Sequence, residues 1–154
     1  MGHCGIEPTM NPHRHPDLVE LSDRLRRQSH KLTGPRQSIL AVLRENVSPL
    51  SNKQIHAALP PGECDLATVY RSLRLLEKAG IVKRFDFGDG RARYELLRDG
   101  DDGHHHHLVC RRCASIVEIE ECSTGELQER IARQSGFRAV THRLEFFGVC
   151  PACQ

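Results

Sequence analysis

Four of the seven cysteines in this 154-residue chain form two C-x-x-C pairs, Cys110 with Cys113 and Cys150 with Cys153. A turn of this spacing directs two thiolates toward one point about 2.3 Å from a zinc ion. Two such turns give a closed tetrahedral set of sulfur ligands, which is typical of a structural zinc site. A redox-active dithiol is the alternative for one pair, and the second pair argues against it. We therefore predict one structural Zn²⁺.

A run of four histidines, His104–His107, comes shortly before Cys110. On an extended chain, neighbouring side chains point to opposite faces, so His105 and His107 share one face and His104 and His106 the other. The run therefore offers ligands to two separate metal sites. Further candidate ligands lie on other predicted strands: Glu95, Glu118, Glu120 and His142. Imidazole and carboxylate ligands suit Fe²⁺, Mn²⁺ or Zn²⁺ and do not distinguish among them. A solvated polar loop is the alternative interpretation of the run.

Charge is distributed unevenly along the chain. Residues 1–93 carry 15 Lys and Arg against 10 Asp and Glu, whereas residues 94–154 carry 7 against 10. A basic half suits a polyanion such as nucleic acid, although a surplus this small also arises by chance. The N-terminal residues lack the apolar core of a secretory signal, and no stretch approaches the roughly 18 apolar residues of a membrane span. We expect a cytoplasmic protein with reduced thiols and no membrane partner.

Hydrophobic periodicity and capping signals predict the elements that position these ligands. Four helices are predicted to begin near Pro16, Thr33, Ser51 and Asp65. Residues 81–87 and 91–97 then predict a β-hairpin with a glycine-rich turn. Four helices followed by a β-hairpin match a winged helix-turn-helix.

The remaining residues predict a small α/β unit. Strands are predicted over residues 104–110 and 114–120, and a helix over residues 123–135. The alternation of His142, Leu144 and Phe146 predicts a last strand. A unit of this size needs a metal, a partner domain or a dimer partner to be stable. The whole chain is therefore predicted to be α+β.

Five stretches, in this order, resemble the ferric uptake regulator family of bacterial metal-dependent repressors. They are residues 32–36 (LTGPR), 65–73 (DLATVYRSL), 87–95 (FGDGRARYE), 104–110 (HHHHLVC) and 150–153 (CPAC). The resemblance covers roughly residues 18–153. It implies a metal-loaded homodimer that represses transcription by binding palindromic operators in double-stranded DNA. Each chain would have a flexible tail (1–15), a winged-helix DNA-binding domain (16–97), a hinge connector (98–103) and an α/β dimerisation and metal-binding domain (104–154).

The resemblance also implies which residues contact DNA. Tyr70 and Arg71 of the recognition helix would face bases, close to Thr68, and Lys31 and Arg36 would lie near the backbone or minor groove. Recognition chemistry agrees, because an arginine at a helix start can reach guanine O6 and N7, and a tyrosine can pack on a thymine methyl. The alternative is that these side chains coat a solvated helix face.

By the same resemblance, the regulatory metal would bind Glu95, His105 and His107, with Glu118 as a further ligand. One position departs from the family pattern, because Pro49 stands where a histidine is usual. Zinc-sensing relatives usually have a cysteine near the end of the hairpin, and peroxide-sensing relatives usually have aspartate at the position of Glu95. Fe²⁺ is therefore the expected regulatory ion, with Zn²⁺ or Mn²⁺ as alternatives within the same family.

A second metal site, by the same resemblance, would use three histidines: His104, His106 and His142. Its usual glutamate falls on Gly125. The adjacent Glu126 is the predicted replacement. Cys122 is the other candidate, because it lies nearly one helical turn earlier, about 5 Å along the helix.

Two other function classes compete with a repressor. An enzyme using the histidine run lacks support, because the chain has no H-E-x-x-H, nucleophile motif or glycine-rich phosphate loop. A metal store or chaperone would need only the histidines. The predicted helix that carries Thr68, Tyr70 and Arg71 argues against both classes.

Overall fold

The structure is a computed structural model that describes residues 16–97, 105–119 and 122–154. The predicted tail, the hinge connector, His104 and Glu120 lie outside these residues. The described residues form two compact units, residues 16–97 and residues 105–154 without 120–121. None of the helices in the described ranges has the length and apolar character needed to cross a membrane.

The N-terminal unit contains the four predicted helices. They are α1 (Leu18–Arg27), α2 (Gly34–Glu45), α3 (Asn52–Ala58) and α4 (Leu66–Lys78). Asp17 and Ser51 begin α1 and α3 in capping boxes with Glu20 and Gln54, so each cap and its partner satisfy otherwise unbonded N–H groups. The Asp65 carboxylate accepts from the Thr68 N–H at the start of α4. Thr33 precedes α2 as predicted but makes no capping hydrogen bond through its side chain.

A three-stranded antiparallel sheet completes this unit. Its strands are β1 (Leu50–Ser51), β2 (Val82–Asp86) and β3 (Ala92–Leu96), in the order β1-β3-β2. The predicted hairpin is confirmed, with Val82 opposite Leu96 and Asp86 opposite Ala92. The sequence prediction missed β1, because a two-residue strand is too short to show an alternating pattern.

One hydrophobic cluster holds the N-terminal unit together. Residues of α1, α2, α3 and α4 and of the hairpin are fully or almost fully buried in it, among them Leu21, Leu40, Ile55, Val69, Leu73 and Leu76. Burying a leucine of this kind contributes roughly 1.5–3 kcal/mol relative to an exposed one. The buried side of α4 fixes the helix so that Tyr70 and Arg71 are exposed. The winged-helix prediction is confirmed.

The C-terminal unit has a second sheet and one helix. Its elements are β4 (His106–Cys110), β5 (Ile116–Ile119), α5 (Gly125–Ser135), β6 (Glu145–Gly148) and a 3-10 turn at Pro151–Cys153. The strand order is β5-β4-β6, with β4 antiparallel to β5 and parallel to β6.

The prediction that His142 and Leu144 belong to the last strand is wrong, because β6 begins at Glu145. His142 instead contacts α5, where its Nδ1 lies 2.8 Å from Gln128 Oε1. This contact holds the segment before β6 against the helix, outside the sheet ladder.

A buried arginine links the two ends of the hairpin turn. The Arg93 side chain is only 4% exposed, and its Nη1 and Nη2 lie 3.0 and 2.6 Å from the two Asp89 oxygens. The Arg93 guanidinium also lies 5.5 Å from the Phe87 ring centre. Its hydrogen bonds hold the pKa of Asp89 below the usual carboxyl range.

We predict that Asp89→Ala destabilises the N-terminal unit by about 1–3 kcal/mol, because it leaves a buried cation without its hydrogen-bonded partner. Urea unfolding followed by tyrosine fluorescence measures this unit, since both tyrosines of the chain, Tyr70 and Tyr94, lie in it. Asp23→Ala is the control, because its pair with Arg26 is exposed and worth less than about 1 kcal/mol.

The pH dependence follows from the lowered pKa of Asp89. The stabilisation is present above the unfolded-state pKa and is lost as the pH falls through the lowered, folded-state value. The difference between the wild type and Asp89→Ala should therefore shrink on acidification. A difference that grows at low pH, or that Asp23→Ala reproduces, contradicts this assignment.

Candidate metal centres

The pairing of β4 with β6 brings the two C-x-x-C pairs together. The strands are parallel neighbours, and Cys110 at the end of β4 lies opposite Gly148 at the end of β6. The carboxyl ends of adjacent parallel strands meet at one edge of a sheet. Cys113 follows on the first turn, and Cys150 and Cys153 follow on the second. The sequence pairs are therefore neighbours in space.

The four sulfur atoms are spaced for one ion. All lie within 4.8 Å of one another, and Cys113 Sγ is 3.6 Å from Cys150 Sγ. Ligands about 2.3 Å from a tetrahedral zinc ion are roughly 3.8 Å apart. The first turn closes through a hydrogen bond from Ala114 N–H to Cys110 O, with Ala114 at a left-handed φ of 59°. This donor set fits zinc.

Hydrogen bonds around these thiols shift their pKa values in different directions. Backbone N–H groups of Cys113 and Cys150 lower the pKa of Cys110 to about 5. Hydrogen bonding with Ser115 lowers the pKa of Cys113. Hydrogen bonding with Cys150 and Cys113 raises the pKa of Cys153 to about 12. A bound divalent cation would stabilise all four thiolates together, because metal coordination deprotonates a thiol outright.

A second cluster in the same unit contains His106, Cys122 and His142, whose donor atoms lie within 4.8 Å of one another. His142 Nε2 is 3.4 Å from His106 Nε2 and 3.3 Å from Cys122 Sγ. The Thr124 hydroxyl lies beside them, 2.8 Å from His142 Nε2. The cluster therefore combines two imidazole nitrogens with one sulfur.

The structure brings together only some of the residues predicted for the second site. His106 and His142 meet, and Cys122 completes the group. Glu126 is exposed on α5 and is not among the clustered ligands. His104 lies outside the described residues. Gln128 and Thr124, which contact His142, were missed, because their roles come from tertiary contacts and no motif marks them.

The other face of the histidine run carries the predicted regulatory ligands of the C-terminal unit. The rings of His105 and His107 meet edge to face, with centres 4.9 Å apart. Glu118 on β5 is the register partner of His107 on β4, so their side chains share one face. Glu95 belongs to the N-terminal unit, where it lies on β3 opposite Lys83.

The predicted DNA contacts lie at two places on the N-terminal unit. On α4, Tyr70 is 47% exposed, and Arg71 is exposed with its Nη2 donating to Thr68 Oγ1 at 3.0 Å. Before and within the first turn of α2, the Arg36 guanidinium donates to the Lys31 carbonyl. Each arginine is therefore oriented by a local hydrogen bond, and each guanidinium has further N–H groups that could donate to DNA.

Comparison with known proteins agrees with this architecture. The sequence model of the Ferric uptake regulator family matches residues 11–147. The Ferric uptake regulation protein of Bacillus subtilis is 40% identical over 138 residues, which cover 85% of this chain and 93% of that protein. A solved zinc-bound manganese uptake regulator is 34% identical with a TM-score of 0.69, over 84% of this chain and 98% of that one. The Helicobacter pylori ferric uptake regulator Fur shares the fold, with a TM-score of 0.77 at 23% identity over 91% of this chain and 95% of that one. This chain belongs to the ferric uptake regulator family.

Proposed function

We propose that this protein is a metal-responsive transcriptional repressor that senses Fe²⁺ and binds palindromic operators as a metal-loaded homodimer. The observation that carries the proposal is the exposed face of α4, where Tyr70 and Arg71 extend outward from a helix anchored by buried Val69, Leu73 and Leu76. Family membership and the ligand clusters of the C-terminal unit support the metal dependence.

Residues 16–97 would act as the DNA-binding domain. An α-helix fits the major groove of B-DNA, and the N-terminal residues of a recognition helix contact base edges. Arg71 would donate to guanine O6 and N7, while Tyr70 would pack on a thymine methyl. Thr68 orients Arg71 through the hydrogen bond at 3.0 Å. Lys31 and Arg36 would neutralise phosphates and so fix the register on the duplex.

Residues 104–154 would act as the dimerisation domain. Among the described residues of this unit, large apolar side chains are exposed on α5 and β6, and Phe137 is 72% exposed. The helix α5 buries none of its residues, although its apolar side chains Leu127 and Ile131 share one face. A second copy of the chain would cover this surface. A two-fold dimer would also present two α4 helices to the two halves of a palindrome.

The Cys₄ cluster would hold a structural Zn²⁺. The residues that would bind it are Cys110, Cys113, Cys150 and Cys153. The ion would fix the end of β4 to the turn after β6, so the folding of the C-terminal unit should depend on it. The closed set of sulfur ligands leaves no open position for a substrate, so the ion would have no catalytic role.

We predict that Cys113→Ser loses this zinc and the dimer together. Metal analysis and light scattering on the purified protein measure the two properties. Cys64→Ser is the matched control, because Cys64 packs against the core of the N-terminal unit, and it should keep both. A Cys113→Ser protein that is dimeric and still holds one tightly bound zinc per chain would contradict the structural role.

The regulatory ion would bind His105 and His107, with Glu118 and Glu95 as carboxylate ligands. Glu95 enters this set through the family resemblance. Imidazole and carboxylate ligands accept Fe²⁺, Mn²⁺ and Zn²⁺. The absence of a cysteine from this ligand set favours Fe²⁺ over Zn²⁺ as the regulatory ion. The alternative function is that of a zinc-sensing, peroxide-sensing or manganese-sensing member of the same family.

We predict that specific operator binding requires an added divalent ion and is abolished by a chelator. An anaerobic gel shift of the zinc-loaded protein with Fe²⁺, Mn²⁺ or Zn²⁺ tests this. A non-operator duplex of the same length is the control for non-specific binding. Binding to the operator that ignores both metal and chelator would refute metal sensing. Metal binding without any preference for the operator would favour a metal store.

We predict that Arg71→Ala weakens operator binding by about 1–3 kcal/mol without unfolding the protein. The matched control is Lys78→Ala, which removes a cation from the same helix about 10 Å further along its axis. Fluorescence anisotropy at fixed salt measures both affinities, and circular dichroism checks the fold. Equal losses in the two variants would show that charge alone, and not base contact, explains the effect.

A further inference from the structure

We propose that Cys122, His106 and His142 form a thiolate-containing metal site that prefers Zn²⁺ over Fe²⁺ and Mn²⁺. The family resemblance implies a glutamate where this chain has Gly125, and the sulfur of Cys122 lies in the cluster with the two histidines. The inference does not need DNA binding, so it is independent of the proposed repressor function.

The distances in the cluster match the coordination shell of one zinc ion. Ligands at about 2.0–2.1 Å for nitrogen and 2.3 Å for sulfur are roughly 3.3 Å apart for two nitrogens and 3.6 Å for nitrogen and sulfur. The two Nε2 atoms are 3.4 Å apart, and Cys122 Sγ is 3.3 Å from His142 Nε2. Two edges of a tetrahedron are therefore already formed.

The hydrogen bonds behind the two imidazoles direct unprotonated nitrogens into the cluster. His106 Nδ1 lies 3.1 Å from the Leu144 carbonyl, which only accepts, so this nitrogen carries the proton. His142 Nδ1 lies 2.8 Å from Gln128 Oε1, and the Gln128 amide is oriented by donating to the Val140 carbonyl. In neutral rings both Nε2 atoms then present lone pairs. Both Nε2 atoms are therefore oriented as metal ligands, in the arrangement in which the other ring nitrogen of each histidine is held by a carbonyl.

The sulfur atom decides which cation is preferred. Thiolates select Zn²⁺ and other soft or borderline ions, whereas carboxylates suit Mn²⁺ and other hard ions. The described residues supply three ligands, and a tetrahedral zinc ion would take its fourth from water or another donor.

A purely hydrogen-bonded cluster is the competing arrangement. The Thr124 hydroxyl lies 2.8 Å from His142 Nε2 and 3.0 Å from Cys122 Sγ, so it could link the imidazole and the thiol without a metal. The two explanations differ in whether a sulfur–metal bond forms. Spectroscopy of bound Co²⁺ detects that bond directly.

The test is titration with Co²⁺ of the full chain after chelation has reduced its zinc to one ion per chain, held by the four cysteines. A cysteine ligand gives a thiolate-to-cobalt charge-transfer band in the near ultraviolet. The proposed regulatory ligands contain no sulfur, and the Cys₄ site is occupied by zinc, so the band reports this cluster. We expect it to saturate at about one cobalt per chain and to be removed by added Zn²⁺ but not by equal Mn²⁺.

Three variants of the site and one control variant separate the outcomes. Cys122→Ser should lose the band and bind zinc at this site more than about 10-fold more weakly, whereas the control Cys64→Ser should keep the band. His142→Gln should also lose it, and this variant asks the same question with the thiol still present if Cys122→Ser fails to fold. Cys122→Glu should bind cobalt without the band and gain affinity for Mn²⁺.

The proposal is overturned if the wild type shows no sulfur band. It is also overturned if Cys122→Ser and His142→Gln keep the band, or if Cys64→Ser loses it. An intact band in a protein that fails to bind operator DNA would refute the repressor proposal and leave this site standing.

Discussion

The parallel pairing of β4 with β6 is the interaction on which the chemistry of the C-terminal unit depends. It places the two C-x-x-C turns at one sheet edge, because both strands end there. It also brings the segment before β6 to the start of β4, where His142 meets His106. Without this pairing, His106 and His142, 36 residues apart in the sequence, would be separated, as would Cys110 and Cys150, 40 residues apart. One strand pair therefore assembles two candidate metal centres.

The alternation of side chains along β4 places two different groups of candidate ligands on its two faces. His105 and His107 meet on one side, while His106 turns to Cys122 and His142. Buried Val109 and Cys110 continue the strand toward the sulfur cluster. A five-residue strand thus leads from the histidine cluster to the cysteine cluster. Movement of the strand at one site would therefore be transmitted to the others, since packed elements shift as units.

The sequence predicted best those features that local chemistry determines. Spacing alone predicted the cysteine pairs, and capping residues such as Ser51 and Asp65 predicted where helices begin. The α+β class and the winged helix followed from these elements and were confirmed. The strand β1 could not be predicted, because its two residues pair with β3, more than 40 residues away in the sequence.

The candidate sites show the same limit. Side-chain alternation assigned His105 and His107 to one face, but it also placed His142 in a strand that begins three residues later. The position of His142 is fixed by Gln128 across the loop from α5. The sequence left Glu126 and Cys122 as alternative replacements for the glutamate expected at Gly125. Sequence spacing does not locate the start of a helix accurately enough to choose between residues one turn apart. Only tertiary contacts identify the sulfur as the clustered ligand.

This substitution separates two kinds of metal chemistry within one small unit. A set of histidines and carboxylates binds hard and borderline ions, whereas histidines with a thiolate favour zinc-like ions. Because Cys122 meets His106 and His142 and does not meet His105 and His107, the two proposed sites would prefer different ions. Under these proposals, β4 would link a zinc-preferring site to an iron-sensing one.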